Sequence, residues 1–241
     1  MQNISDSNGS SYVTIRQIRK SEATQGPKLN QALIETAEWI CDFIGQPHPL
    51  ANKHGAICPR VPDALRADSV YLRLLCSPSL TAEAVTSLGR AMAHDFFALP
   101  PVGESARNLK AVFLVIANPE EALSIPLIDR AHRDLKSELL GEGLMLGRFH
   151  SRLDRGSIYN PLFNPHRAPV PLLSFRYMVE TDIGFLMSSS ATPSQRKQYI
   201  EKYLQVLGRS LPDKLKRKAQ SEIERLRVLT TSKTLGLETN K

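Results

Sequence analysis

The chain has 241 residues, 41% of them hydrophobic, and a formal net charge of +7. That length suits one large domain or a core with an appendage, and the apolar share is enough for a sizeable core. No run approaches the ~18 apolar residues that a bilayer span needs, so no membrane partner is expected. The three Cys (Cys41, Cys58, Cys76) are odd in number and unevenly spaced, which argues against a disulfide framework and for a reducing, cytoplasmic setting.

Residues 1–27 are rich in Ser, Asn and Gln and have no apolar central run, so they read as a disordered leader rather than a secretory signal. Residues 28–208 read as the core domain and 209–241 as a basic C-terminal helix and tail. Within the core, Leu29, Leu33, Ala37, Ile40 and Ile44 recur at helical spacing and Gly45 is a natural stop. Pro47, Pro49, Pro59 and Pro62 then stiffen a long loop, and such loops in compact domains are often functional. Residues 69–76 read as a strand. Thr81 caps a helix that carries Val85, Leu88, Met92 and Phe96 on one face, and Pro100-Pro101 ends it. Residues 111–117 are apolar on both faces and predict a central strand. A helix follows over 127–140 with Gly141 at its end, then strands over 144–150 and 170–178. A helix over 194–207 precedes a last helix that opens at Ser210 and Pro212 and fades by Thr230. The pattern predicts an α+β fold, with one mixed sheet of about four to six strands and helices packed on it.

The basic tail (Lys214, Lys216, Arg217, Lys218, Arg225, Arg227) reads as a solvated helix face. It has no aromatic partners, so a nucleic-acid surface is disfavoured. An interaction module docking through this helix is the third functional reading. There is no dinucleotide or phosphate-loop fingerprint, no nucleophile elbow and no zinc signature.

Chemistry-bearing residues gather in three places. The loop holding His48, His54 and Cys58 offers nitrogen and sulfur ligands for a metal, or a Cys nucleophile; equally, the histidines buttress a turn and Cys58 packs as a small apolar residue. Arg148 and His150 fall on one face of a strand and together make a natural site for a carboxylate or a haem propionate. Arg176, in an otherwise largely apolar strand, needs an acid such as Asp182 or Glu180, or a ligand. His166 lies in the turn sequence Asn164-Pro165-His166-Arg167. His94 and His132 sit among charged helix residues and receive no role.

Several of these segments occur together in one ordered set: His48-Pro49, Gly55-Ala56-Ile57-Cys58-Pro59, Val61-Pro62-Asp63-Ala64-Leu65, Gly143 to His150, Asn160-Pro161, Pro169 to Leu173, and Arg176-Tyr177-Met178-Val179 with Asp182 and Phe185-Leu186. The set resembles the bacterial domain-of-unknown-function family DUF6875 over roughly residues 36 to 207. The chain departs from the family pattern at Arg60, where Phe is usual after Cys-Pro, and at Leu50-Ala51-Asn52, where Leu-Gly-Arg is frequent. A more remote similarity is to the YqcI/YcgG-type proteins, through Cys58-Pro59 and Arg176 with Asp182. That similarity implies a haem-dependent oxygenase of specialised metabolism acting on an amino-acid-like substrate. It would use His48 as axial ligand, with His150 as the alternative. Cys58 would share the catalytic region, and Arg148, Arg176 and His166 would hold propionates or substrate. The alternative needs no cofactor: the same Arg/His cluster binds an anionic metabolite.

Overall fold

The computed structural model describes residues 4–5, 11–23, 30–77, 79–103, 108–118, 121–188 and 190–236. Strands β1 (Ile4–Ser5), β2 (Ser11–Thr14), β3 (Val70–Cys76), β4 (Ala111–Ala117), β5 (Leu144–Phe149) and β6 (Leu172–Tyr177) pair in the order β1-β2-β3-β4-β6-β5. β3 and β4 are parallel; β1 with β2, β2 with β3, and β4 with β6 are antiparallel. The sheet is therefore mixed and the fold α+β, as the pattern predicts. β4 is interior because its run has no polar member: Val112 through Ile116 are all buried, and an edge place would wet one apolar face.

Side chains alternate along β4, and the two faces pack differently. Phe113 and Val115 join Leu72, Leu172, Ile15, Ile18 and Ile40 in one apolar cluster. That face is covered by α1 (Ile15–Ala23), α2 (Gln31–Glu38), the π-helical turn Trp39–Ile44 and α3 (Val61–Arg66). Val112, Leu114 and Ile116 point the other way. The helices beyond β3 and β4 are α4 (Ala82–Ala98), capped by Thr81 through Ala84 N–H, and α5 (Glu121–Gly141). α5 begins six residues before the predicted start, and Pro126 lies in its first two turns. Pro126 is the sixth residue of the helix, past its first four free N–H groups, so it removes the bond to Ala122 O, and the helix still continues to Gly141.

The leader reading is corrected for residues 11–23. They form β2 and α1, and Tyr12, Ile15 and Ile18 are buried. The Ser- and Gln-rich composition hid a short amphipathic helix whose two isoleucines face the core. Residues 1–3, 6–10 and 24–27 lie outside the described residues.

The chain forms two compact units, Met1–Lys136 with Met145–Tyr177, and Ser137–Leu144 with Met178–Lys241. In the second, α7 (Pro193–Leu207) packs with α8 (Asp213–Gly236) and with α6 (Ile183–Met187). Thr192 and Gln195 form a capping box at the start of α7. Tyr203 donates to Glu180 O at 2.7 Å and Lys202 to Ser137 O at 2.6 Å. The basic helix α8 satisfies part of its charge internally: Arg225 pairs with Glu222 through two hydrogen bonds, and Arg227 with Glu224. It runs to Gly236, past the predicted fade at Thr230. Among the described residues no helix is long and apolar enough to cross a membrane.

Candidate functional site

The register of β5 and β6 sorts the sequence-selected residues. The two strands are neighbours. A methyl at Gly147 would come 2.5 Å from Ser174 Oγ, and Met178 N–H donates to Gly143 O at 2.8 Å. The strands therefore run antiparallel, with Gly147 beside Ser174. Glycine at 147 makes room for the Ser174 hydroxyl and the Phe149 ring. Arg176 pairs with Ala111, which packs against the apolar cluster. Phe149 packs against that cluster too. Alternation then places Arg148 on the opposite face of the sheet from Arg176. The expectation that Arg148, His150 and Arg176 converge is thus corrected: Arg176 donates to Tyr177 O at 3.0 Å on the other side. Period-two arithmetic fixes faces within one strand; which face of the next strand matches it depends on register.

Arg148 and His150 do come together, around a residue that the sequence did not single out. Asp129, on α5, lies 2.7 Å from Arg148 Nη1 and 3.5 Å from His150 Nε2 through the same oxygen, Oδ1. Neither contact is aligned as a hydrogen bond, so Asp129 Oδ1 and both ring nitrogens of His150 are buried without a hydrogen-bond partner. His150 is 3% exposed, and burial pushes its pKa down, partly offset by Asp129. Its ring is therefore neutral at pH 7. The Arg148 and Asp129 side chains keep 26% and 29% of their surface, so the cluster has a solvent-facing side.

Two more groups belong to it. Arg155 lies in the loop after β5, and its Nη2 is also buried without a partner. Burial and the neighbouring Arg148 push its pKa down. His132, one turn along α5 from Asp129, has its ring nitrogen 3.3 Å from Leu146 O. It is held well below the usual imidazole range by burial, then by Lys136, Arg148 and Arg155. At the start of α5, Glu121 accepts from Ser151 Oγ at 2.7 Å. Cationic groups thus crowd one carboxylate in a desolvated place. The missed residues had one legible signal: Asp129, His132 and Lys136 recur at three- and four-residue spacing on one helix stripe.

The Pro-rich loop does not assemble a ligand set. His48 Nδ1 accepts from Leu50 N–H, and its ring stacks on Phe163 at 4.5 Å. His54 is exposed. Cys58 packs against the apolar cluster while its N–H donates to Ile44 O at 2.9 Å. Among the described residues no group of three His, Cys, Asp or Glu is placed to hold a metal ion. His166 donates from Nδ1 to Arg155 O at 3.1 Å and stacks on Phe149. It therefore fixes the backbone that carries Arg155.

Residues 33–218 match the family described as Domain of unknown function (DUF6875). The chain belongs to this family. Among curated proteins and among solved structures, none matches the chain. The remoter kinship to YqcI/YcgG-type proteins is not shown by these comparisons.

Proposed function

We propose that this DUF6875 protein binds an anionic small molecule, a carboxylate or phosphate, at the Asp129–Arg148–His150–Arg155 cluster and without a cofactor. The observation that carries the reading is a set of buried polar atoms without partners: Arg155 Nη2, and both nitrogens of His150, of which the neutral ring offers one as donor and one as acceptor. A buried polar group left unpaired costs about 1–3 kcal/mol, more when charged, and an anion would satisfy several at once. Arg148 and Arg155 supply charge, and a guanidinium matches the fork of a carboxylate or phosphate. Asp129 balances part of that charge and orients His150. A neutral imidazole 3.5 Å from a carboxylate is also equipped to take a proton from a bound substrate.

Haem ligation draws less on the geometry. His48 would offer only Nε2, since Nδ1 caps a turn and the ring stacks on Phe163. His150 Nε2 faces Asp129. One preparation tests both readings. Protein purified from cells given iron and a haem precursor is expected to show no Soret band and to take up no hemin. Thermal melts against phosphate, citrate and amino acids are then expected to reveal a stabilising anion. A ligand at a hundred times its Kd adds about 2.7 kcal/mol. The shift should vanish in Arg148→Ala and Arg155→Ala. No shift from any anion, or a shift that survives both substitutions, would sink the assignment.

A further inference from the structure

The loop that carries Arg155 ends in a tip that the anion site does not use. From His150 to Ala168 it folds back on itself. Ser157 N–H donates to Phe163 O at 2.7 Å, and Phe163 is buried beneath the tip. A methyl at Gly156 would collide with the Pro161 backbone, so only glycine permits the two limbs to close. The tip is tied to the Pro-rich loop as well: Asn160 Nδ2 donates to Leu50 O at 2.9 Å, and Lys53 lies 5.7 Å over the Tyr159 ring. This order holds several large apolar side chains out in solvent. Leu162 is 94% exposed, and Leu50, Ile158 and Tyr159 are exposed beside it. Single exposed apolar residues need no explanation, but four on two joined turns do. Apart from Arg155 of the anion site, the same two segments, residues 46–60 and 150–168, carry Lys53, Arg60, Arg152 and Arg167 against one carboxylate, Asp154.

We infer that this tip docks on an anionic membrane surface. Leu162, Ile158 and Leu50 enter the boundary between headgroups and acyl chains, and Tyr159 sits at headgroup level, where an amphipathic ring is favoured. The surrounding Lys and Arg meet lipid phosphates and carboxylates, an attraction confined to the membrane surface. A bilayer fits better than a protein partner for a physical reason. A protein interface needs a packed, complementary pocket for its anchors, whereas side chains projecting from two turns, with Leu162 94% exposed, suit a soft phase that closes around them. The contact is with the surface only, and it is independent of the anion site proposed above.

The test is flotation of the full chain with vesicles of phosphatidylcholine alone and with about 30% phosphatidylserine added. Binding is expected only to the anionic vesicles and should weaken as salt rises. Leu162→Asp should reduce it by roughly ten-fold or more, with an unchanged melting temperature because that side chain touches so little. Lys53→Glu should weaken it several-fold and flatten the salt dependence. Equal binding to both vesicle types, or a Leu162→Asp protein that floats like the wild type, overturns the inference. Absence of binding to either vesicle overturns it too.

Discussion

Lys110 and Arg155 are both desolvated cations of the first unit, and they differ in what surrounds them. Lys110 is 2% exposed, donates to Leu99 O, and lies 4.7 Å over Phe96 and 5.8 Å over Tyr177. Burial pushes its pKa down to about 8, yet its contacts are complete and closed. Arg155 is less buried overall, but its Nη2 has no partner, and Arg148, His132 and His150 crowd the same region. A shifted pKa alone does not mark a site. Incomplete valence beside a solvent-facing pair does, because a ligand then has something to satisfy.

The largest expected effect tests the closed member of this comparison. A pKa lowered from 10.5 to about 8 corresponds to an upper figure of ~3.4 kcal/mol. Losing the hydrogen bond to Leu99 O offsets about 1 kcal/mol of that. Lys110→Met should therefore stabilise the protein by roughly 2 kcal/mol at pH 7, measured by denaturant unfolding. The sign follows from linkage. The folded pKa lies below the unfolded one, so the penalty is full below about pH 8 and disappears as pH rises through 10.5. The wild type should gain stability above pH 8, until Tyr203, whose pKa burial pushes up to about 12, begins to favour unfolding above pH 10. The variant should lack that gain. A destabilised Lys110→Met protein would mean that the ammonium is structurally required.

Asp129→Asn addresses the open member. The pair with Arg148 is about a quarter exposed, so solvent screening limits the loss to roughly 1 kcal/mol. Removing the one carboxylate should at the same time tighten anion binding several-fold, read by calorimetry with phosphate. Weaker binding would show that Asp129 holds the donors in place rather than competing with the ligand.

The pH response is smaller and separates the two regions further. His132, His150 and His166 all have pKa values lowered chiefly by burial. The unfolded chain then takes up protons first as pH falls below about 6.5, so stability drops there. Phosphate should recover part of that loss in the wild type and not in Arg155→Ala. Equal recovery in both would place the phosphate elsewhere. The smallest expected effect is a control: Arg176→Ala, on the other face of the sheet, should leave the phosphate-induced melting shift unchanged within error.

Local pattern made much of this molecule legible. The apolar run Ala111–Ala117 could only be an interior strand, and Thr81, through its side-chain cap, and Gly45 and Gly141 marked helix ends. Arg148 and His150 were placed on one face by alternation alone. Residues 11–23 were misread because composition averaged a few core-facing residues, Tyr12, Ile15 and Ile18, into a polar background.

What the sequence determined by itself was therefore short-range: strand and helix periods, caps, the charge balance, and the family motifs over most of the chain. Only the tertiary structure decided which of those pieces meet. Antiparallel pairing of β5 with β6 sent Arg176 to one face of the sheet and Arg148 to the other, and α5 brought Asp129 against Arg148 and His150 from about twenty residues away. The loop-to-loop hydrogen bond between Asn160 and Leu50 joined two tips more than a hundred residues apart. Register and packing between distant segments depend on every neighbour at once, whereas a period is written in consecutive residues.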